Sequence, residues 1–239
     1  MRIDVLGTKF DDLTMDEALA RGEALIEEHA ASYVVTPNPE IVMLCREDPE
    51  TAAAVERASL VIADGIGVIH GAKILGTPIK QKLPGIDFTT ALMGRMAGRG
   101  QSVFLFGAKP GVADVAAEKL QKRFPGLVIA GTNDGYFSDD APIVSKINAA
   151  KPDLLLVCLG ARKQEKWMRS HAGAIDVGLM IGAGGSLDVF AGTVERAPEK
   201  WQKAGLEWLY RLLKEPKRLR RMMKLPQFLL LVCAQRLRR

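Results

Sequence analysis

The sequence predicts an α/β fold: a Rossmann-like, mostly parallel sheet with helices on both faces, plus a C-terminal basic amphipathic helical appendage. Three observations carry this. Six short apolar runs alternate with amphipathic stretches as far as about residue 195. Several runs are apolar at every position, as strands of a parallel sheet are when helices cover both faces. Charge divides the chain: residues 195–239 hold 13 Lys and Arg against 4 Asp and Glu, a net of +9, and the remaining 194 carry a net of −4. The expected organisation is a Rossmann-like domain over 1–195 and an appendage over 196–239.

The elements follow in order. "MRIDVLGTKFDDL" reads as a β-hairpin at the sheet edge. Thr14 is an N-cap for the helix after it, with Glu17 three residues on completing a capping box. Strands are expected at 32–37, 59–64, 102–107, 127–131, 153–160 and 177–184, and crossover helices at 111–124 and 141–150. Pro110 has the character of a first helical residue. The tail "LKEPKRLRRMMKLPQFLLLV" joins basic residues to apolar ones. Its apolar run, Phe228 to Ala234, falls far short of the ~20 residues a spanning helix needs. The expectation is a segment, 211–235, that lies on an anionic membrane surface, where each Lys or Arg contributes about 1 kcal/mol. Leu219, Met222, Met223, Leu225 and Phe228 would supply its apolar face, and Pro226 would start or kink a second short helix. An apolar patch left by an open tail would drive homo-oligomers.

In doubly wound folds ligands bind beyond the carboxyl ends of the strands. Thr36 and Asn38 follow the first strand here, and Asp64 the second. Gly107 and Lys109 follow the third, in "FGAKPG", a turn suited to phosphate but neither a Walker loop nor a dinucleotide fingerprint. Asp134 and Tyr136 follow the fourth, and Lys163 and Gln164 the fifth. Gly184, Gly185 and Asp188 follow the sixth, in "GAGGSLDVFAG". Each has a plainer reading beside the functional one. Asp64 equally reads as an N-cap for the helix after it, and Asp188 as a helix cap.

Other chemistry has little support. Cys45, Cys158 and Cys233 are widely spaced, His70 and His171 stand alone, and there is no DxD, so no metal and no cofactor is expected. The N-terminus lacks the apolar core of a signal peptide. A nicotinamide oxidoreductase would need the missing GxGxxG. A nucleic-acid-binding module would interleave aromatics with the tail's charges, so no nucleic-acid partner is expected.

Taken in order, "TPNPEIVMLCREDPE", "ADGIGVIHGAKILG", "PGIDF", "VFLFGAKPG", "DGYF", "GARKQEKW", "GAGGSLDVFAGTVERAP" and "GLEWLYRLLKEPKRLRR" resemble the WecG/TagA/CpsF family of bacterial glycosyltransferases over about residues 5–225. The resemblance implies a metal-independent, inverting transfer of a hexosamine-type sugar. The donor would be a UDP-sugar, and the acceptor N-acetylglucosamine on undecaprenyl diphosphate at the cytoplasmic face of the cell membrane. It further implies that Asp64 is the general base and that Thr36, Asn38 and Gln164 line the sugar site. Arg211, Arg218 and Arg221 would reach the diphosphate. Lys82 stands where the family usually has Arg, keeping charge but losing the bidentate fork, and Arg162 stands where it usually has Pro.

Overall fold

The computed structural model describes residues 1–216 and 219–238, without the side chain of Arg220. The expected N-terminal hairpin is β1 (Arg2–Val5) and β2 (Thr8–Asp11), paired antiparallel. The helix α1 (Met15–Glu28) begins at the predicted capping box: the Thr14 amide donates to Glu17 Oε2 at 2.7 Å, and the Glu17 amide to Thr14 Oγ1 at 3.3 Å.

The core of the molecule is a six-stranded sheet. In chain order its strands are β3 (Ser32–Val35), β4 (Leu60–Val61), β5 (Ser102–Gly107), β6 (Val128–Asn133), β7 (Leu154–Cys158) and β8 (Leu179–Gly182). Across the sheet the order is β4-β3-β8-β7-β5-β6, and every pairing is parallel. Strand β4 is shorter than the expected 59–64. The Ile62 and Asp64 amides still donate to the Val35 and Pro37 carbonyls, but Pro37 has no N–H to return, so the ladder stops. The hairpin covers this edge: Asp11 Oδ2 accepts the Val61 amide at 2.9 Å.

Alternate residues feed two apolar layers. Tyr33, Val35, Phe104, Phe106, Leu155, Val157 and Met180 face one layer. It contains α2 (Pro39–Glu47), α3 (Pro49–Glu56), α4 (Ile66–Ile74), α7 (Ala141–Ala150) and α8 (Lys163–His171). Val34, Val103, Leu105, Leu154, Leu156 and Ile181 face the other, with α1, α5 (Gly85–Ala97), α6 (Val112–Arg123) and α9 (Ser186–Phe190). The crossover from β5 runs outward to β6, and that from β7 runs back to β8. The carboxyl ends of β5 and β7 therefore flank a crevice. The helix α6 starts two residues after Pro110, which lies in the preceding turn.

The tail comprises α10 (Glu199–Lys203), α11 (Glu207–Lys214), α12 (Leu219–Met222) and α13 (Lys224–Leu237). Pro226 does not itself begin a helix, since α13 starts at Lys224. It sits in the first turn of α13, where its missing N–H breaks no bond. The apolar face expected on the membrane is partly spent on the protein itself. Phe228 and Val232 are fully buried, and α13 packs against α2 and α4. Gly71 creates the room: a Cβ there would lie 2.8 Å from the Phe228 ring. Met222 and Leu225 also turn inward. Leu219 and Met223 are exposed, as are Leu213, Leu230 at 71% and Leu237 at 88%. No helix among the described residues is long and apolar enough to cross a membrane.

Because Phe228 is a wholly buried anchor, Phe228→Ala should cost about 3–5 kcal/mol. Denaturant unfolding measures the loss, and limited proteolysis should show earlier cleavage between α10 and α13.

Candidate active site

The carboxyl ends of the strands and the tail enclose one large cavity of about 860 Å³. Its wall takes residues from the loops after β3, β4, β5, β6, β7 and β8, and from α11, α12 and α13.

Asp64 sits in that wall, partly buried. It does not cap α4: the N-cap is Gly65, and no side chain caps that helix end. Its carboxyl is therefore left to the cavity. The Leu83 amide donates to the Ala63 carbonyl at 2.9 Å, which brings Lys82 and Gly85 alongside. The carboxyl is pushed up to about 6, first by loss of solvation and then by the negative charge of Glu207. Arg211, the Gly85 N–H and Lys82 act in the opposite direction and do not cancel it.

Most of the other predicted residues line the same cavity. Thr36 is buried and donates to the Gly182 carbonyl at 3.2 Å. Asn38 caps α2, its Oδ1 accepting the Ile41 amide at 3.0 Å, and its amide nitrogen is left for the cavity. Gln164 is buried, and its Oε1 accepts the Gly184 amide at 3.0 Å. Its Nε2 donates to Glu165 at 2.9 Å, which fixes the amide's orientation. Gly184, Gly185 and Asp188 line the wall beside β8. Lys82 and Lys109 also line it and form no ion pair among the described residues. Tyr136 is 69% exposed at the mouth. Lys163 donates to the Gly135 carbonyl and lies 3.9 Å above the Phe137 ring.

Two predicted residues lie outside the wall. Gly107 ends β5 where a Cβ would collide with the Cys158 carbonyl, so it serves strand packing. Asp134 turns the loop, accepting the Tyr136 amide at 2.8 Å. Cys158 does line the cavity, but burial pushes its thiol up to about 12, so it stays protonated.

From the tail, Arg211 and Arg221 reach the cavity; Arg218 lies outside the described residues. Sequence reasoning missed their partners. Arg211 pairs with Glu207 at 3.2 Å, and Arg221 grips Glu40 with two bonds of 2.7 and 3.0 Å. Arg196 bridges Glu207 at 3.5 Å and pairs with Asp87, tying α11 to α5. The spacing of Glu207 and Arg211, four residues apart on one helix, was the available signal. Glu40 is 181 residues from Arg221 and had none. The arrangement is a partly buried carboxyl among cations, suited to taking a proton while stabilising a departing anion.

Comparison with known proteins bears on the chain as a whole. The model for the glycosyl transferase WecG/TagA/CpsF family matches residues 3–239. A relative in Bacillus spizizenii is 36% identical over 203 residues, covering 85% of this chain and 79% of its own. One in Staphylococcus aureus strain MW2 is 34% identical over 231 residues, covering 95% and 91%. Both are named N-acetylglucosaminyldiphosphoundecaprenol N-acetyl-beta-D-mannosaminyltransferase.

A carboxyl raised to about 6 binds its proton more tightly in the folded protein than in the unfolded chain. That stabilising contribution is present at low pH and lost as pH rises through about 6. Asp64→Asn should therefore melt above the unmodified protein at pH 7–8, with the gap closing below about pH 4. Melting curves across pH measure it.

Proposed function

The chain belongs to the WecG/TagA/CpsF family of glycosyltransferases, and we propose that it has the N-acetylmannosaminyltransferase activity in its relatives' names and that it works by inversion without a metal. In this reading it moves N-acetylmannosamine, or a related hexosamine, from a UDP donor to N-acetylglucosamine on undecaprenyl diphosphate. The product enters wall teichoic acid or another surface polysaccharide.

The observation that carries the reading is Asp64: uncapped, raised, and set in one cavity with Lys82, Lys109, Arg211 and Arg221. The acceptor hydroxyl attacks the anomeric carbon from the face opposite UDP. Its proton passes to Asp64, and the glycosidic electron pair leaves on the β-phosphate oxygen. A carboxyl near 6 is ionised at neutral pH and is a better base than an ordinary aspartate. Lysine and arginine side chains offset the leaving group's charge, arginine through its planar fork. Thr36, Asn38 and Gln164 supply fixed polar groups for sugar hydroxyls. Gly184, Gly185 and Asp188 would meet the donor, and Tyr136 stands at the mouth with a face for its base.

The acceptor's lipid sets where the enzyme works. Leu213, Leu219, Met223, Leu230 and Leu237 are exposed on a tail whose sequence is rich in Lys and Arg, a combination suited to an anionic leaflet. Docking there, at the cytoplasmic face, would bring the cavity to the lipid diphosphate.

UDP release from UDP-N-acetylmannosamine, with a lipid-diphosphate N-acetylglucosamine acceptor and EDTA present, tests this. Acceptor-dependent turnover is expected, reduced by roughly 10²–10⁴ in Asp64→Asn and lost on truncation before Gly205. The kcat/KM should fall as pH drops through about 6. Turnover with EDTA absent but not present would remove metal independence. Full activity in Asp64→Asn would remove the base.

A further inference from the structure

Both described arginines that the cavity offers to a diphosphate are already occupied. Arg221 Nε and Nη2 sit 2.7 and 3.0 Å from the two Glu40 oxygens, a fork-to-carboxylate match. Arg211 Nη2 sits 3.2 Å from Glu207 Oε1. Both carboxylates line the cavity, with side-chain exposures of only 12% and 20%. Arg211 is not saturated by its partner: its Nε is buried with no acceptor among the described residues.

A phosphate presents oxygens at a spacing close to a carboxylate's, so the geometry that fits Glu40 fits phosphate as well. The two ion pairs are part-exposed, hence weak and screened by salt. A diphosphate brings more charge and more acceptor oxygens to the same donors. Glu40 also lies in the first turn of α2, where backbone dipoles favour an anion. We infer that Glu40 and Glu207 are positioning residues that hold Arg221 and Arg211 at the cavity as temporary counter-ions, and that a nucleoside diphosphate displaces them. This rests on the proposed UDP donor. The carboxylates keep two long side chains in place until the ligand arrives, and the Glu40 pair also ties α12 to α2. Displacement makes no covalent change; it exchanges one set of acceptors for another.

Calorimetric titration with UDP, using the full chain at low salt, tests it. The variants are Glu40→Gln, Glu207→Gln, Arg221→Gln and the double variant Glu40→Gln/Arg221→Gln. Glutamine keeps the side-chain shape and removes the competing charge. UDP should bind Glu40→Gln and Glu207→Gln about two- to fivefold tighter than the unmodified protein. The gain from Glu40→Gln should vanish in the Arg221→Gln background, which a general change in cavity charge would not produce. Equal or weaker binding by both glutamine variants overturns the inference and leaves the donor reading intact. So does a gain that persists without Arg221. Absence of UDP binding in every protein, the unmodified one included, removes the donor reading and the inference with it.

Discussion

The site depends on the tail lying across the carboxyl edge of the sheet. Asp64 stands at the end of β4, where an open edge would leave it in water and ordinary in acidity. Burial and the nearby charge of Glu207 make it otherwise, and Glu207 belongs to α11. An apolar anchor and an ion-pair chain are the two contacts that place α11 and α13. Phe228 and Val232 fill the space over Gly71, an apolar anchor with no polar alternative. The Asp87–Arg196–Glu207 chain fixes where α11 enters the cavity. The apolar contact supplies most of the docking free energy, since part-exposed ion pairs are worth only about 0–1 kcal/mol. The charges set register and chemistry.

The same charges are arranged against one another. Glu207 raises Asp64 and neutralises Arg211 at once. If Arg211 turns to a diphosphate, Glu207 keeps only Arg196 beside it and its field at Asp64 strengthens. Arrival of the leaving group's charge and readiness of the base would then be one event. Gln164 is built in a more static way. Its amide is held at both ends, by the Gly184 N–H and by the buried Glu165, so it meets a substrate already oriented.

Much of the fold was legible because it is local. The Thr14–Glu17 capping box, the all-apolar β7 and the helix at 141–150 follow from spacing and propensity alone. The cluster of cavity residues was legible because parallel strands deliver their carboxyl ends to one edge. Partners distant in sequence were not. Glu40 and Arg221 meet only once α12 is folded over α2. Phe228 in a one-dimensional reading is an apolar residue in a basic tail, equally suited to lipid or protein; Gly71, 157 positions earlier, decides it. Gly107 and Asp134 sit at strand ends like true cavity residues, yet one packs against β7 and the other shapes a turn. Pro37 shortened β4 through a missing donor that composition does not weigh.

Direct titration of the Asp64 carboxyl, by carbon NMR on the intact protein and on Glu207→Gln, tests the central claim most directly. A value near 6 in the intact protein, falling in the variant, is the predicted result. An ordinary aspartate value in the intact protein, or no fall on removing Glu207, would contradict the claim that the tail closes the cavity and sets its base.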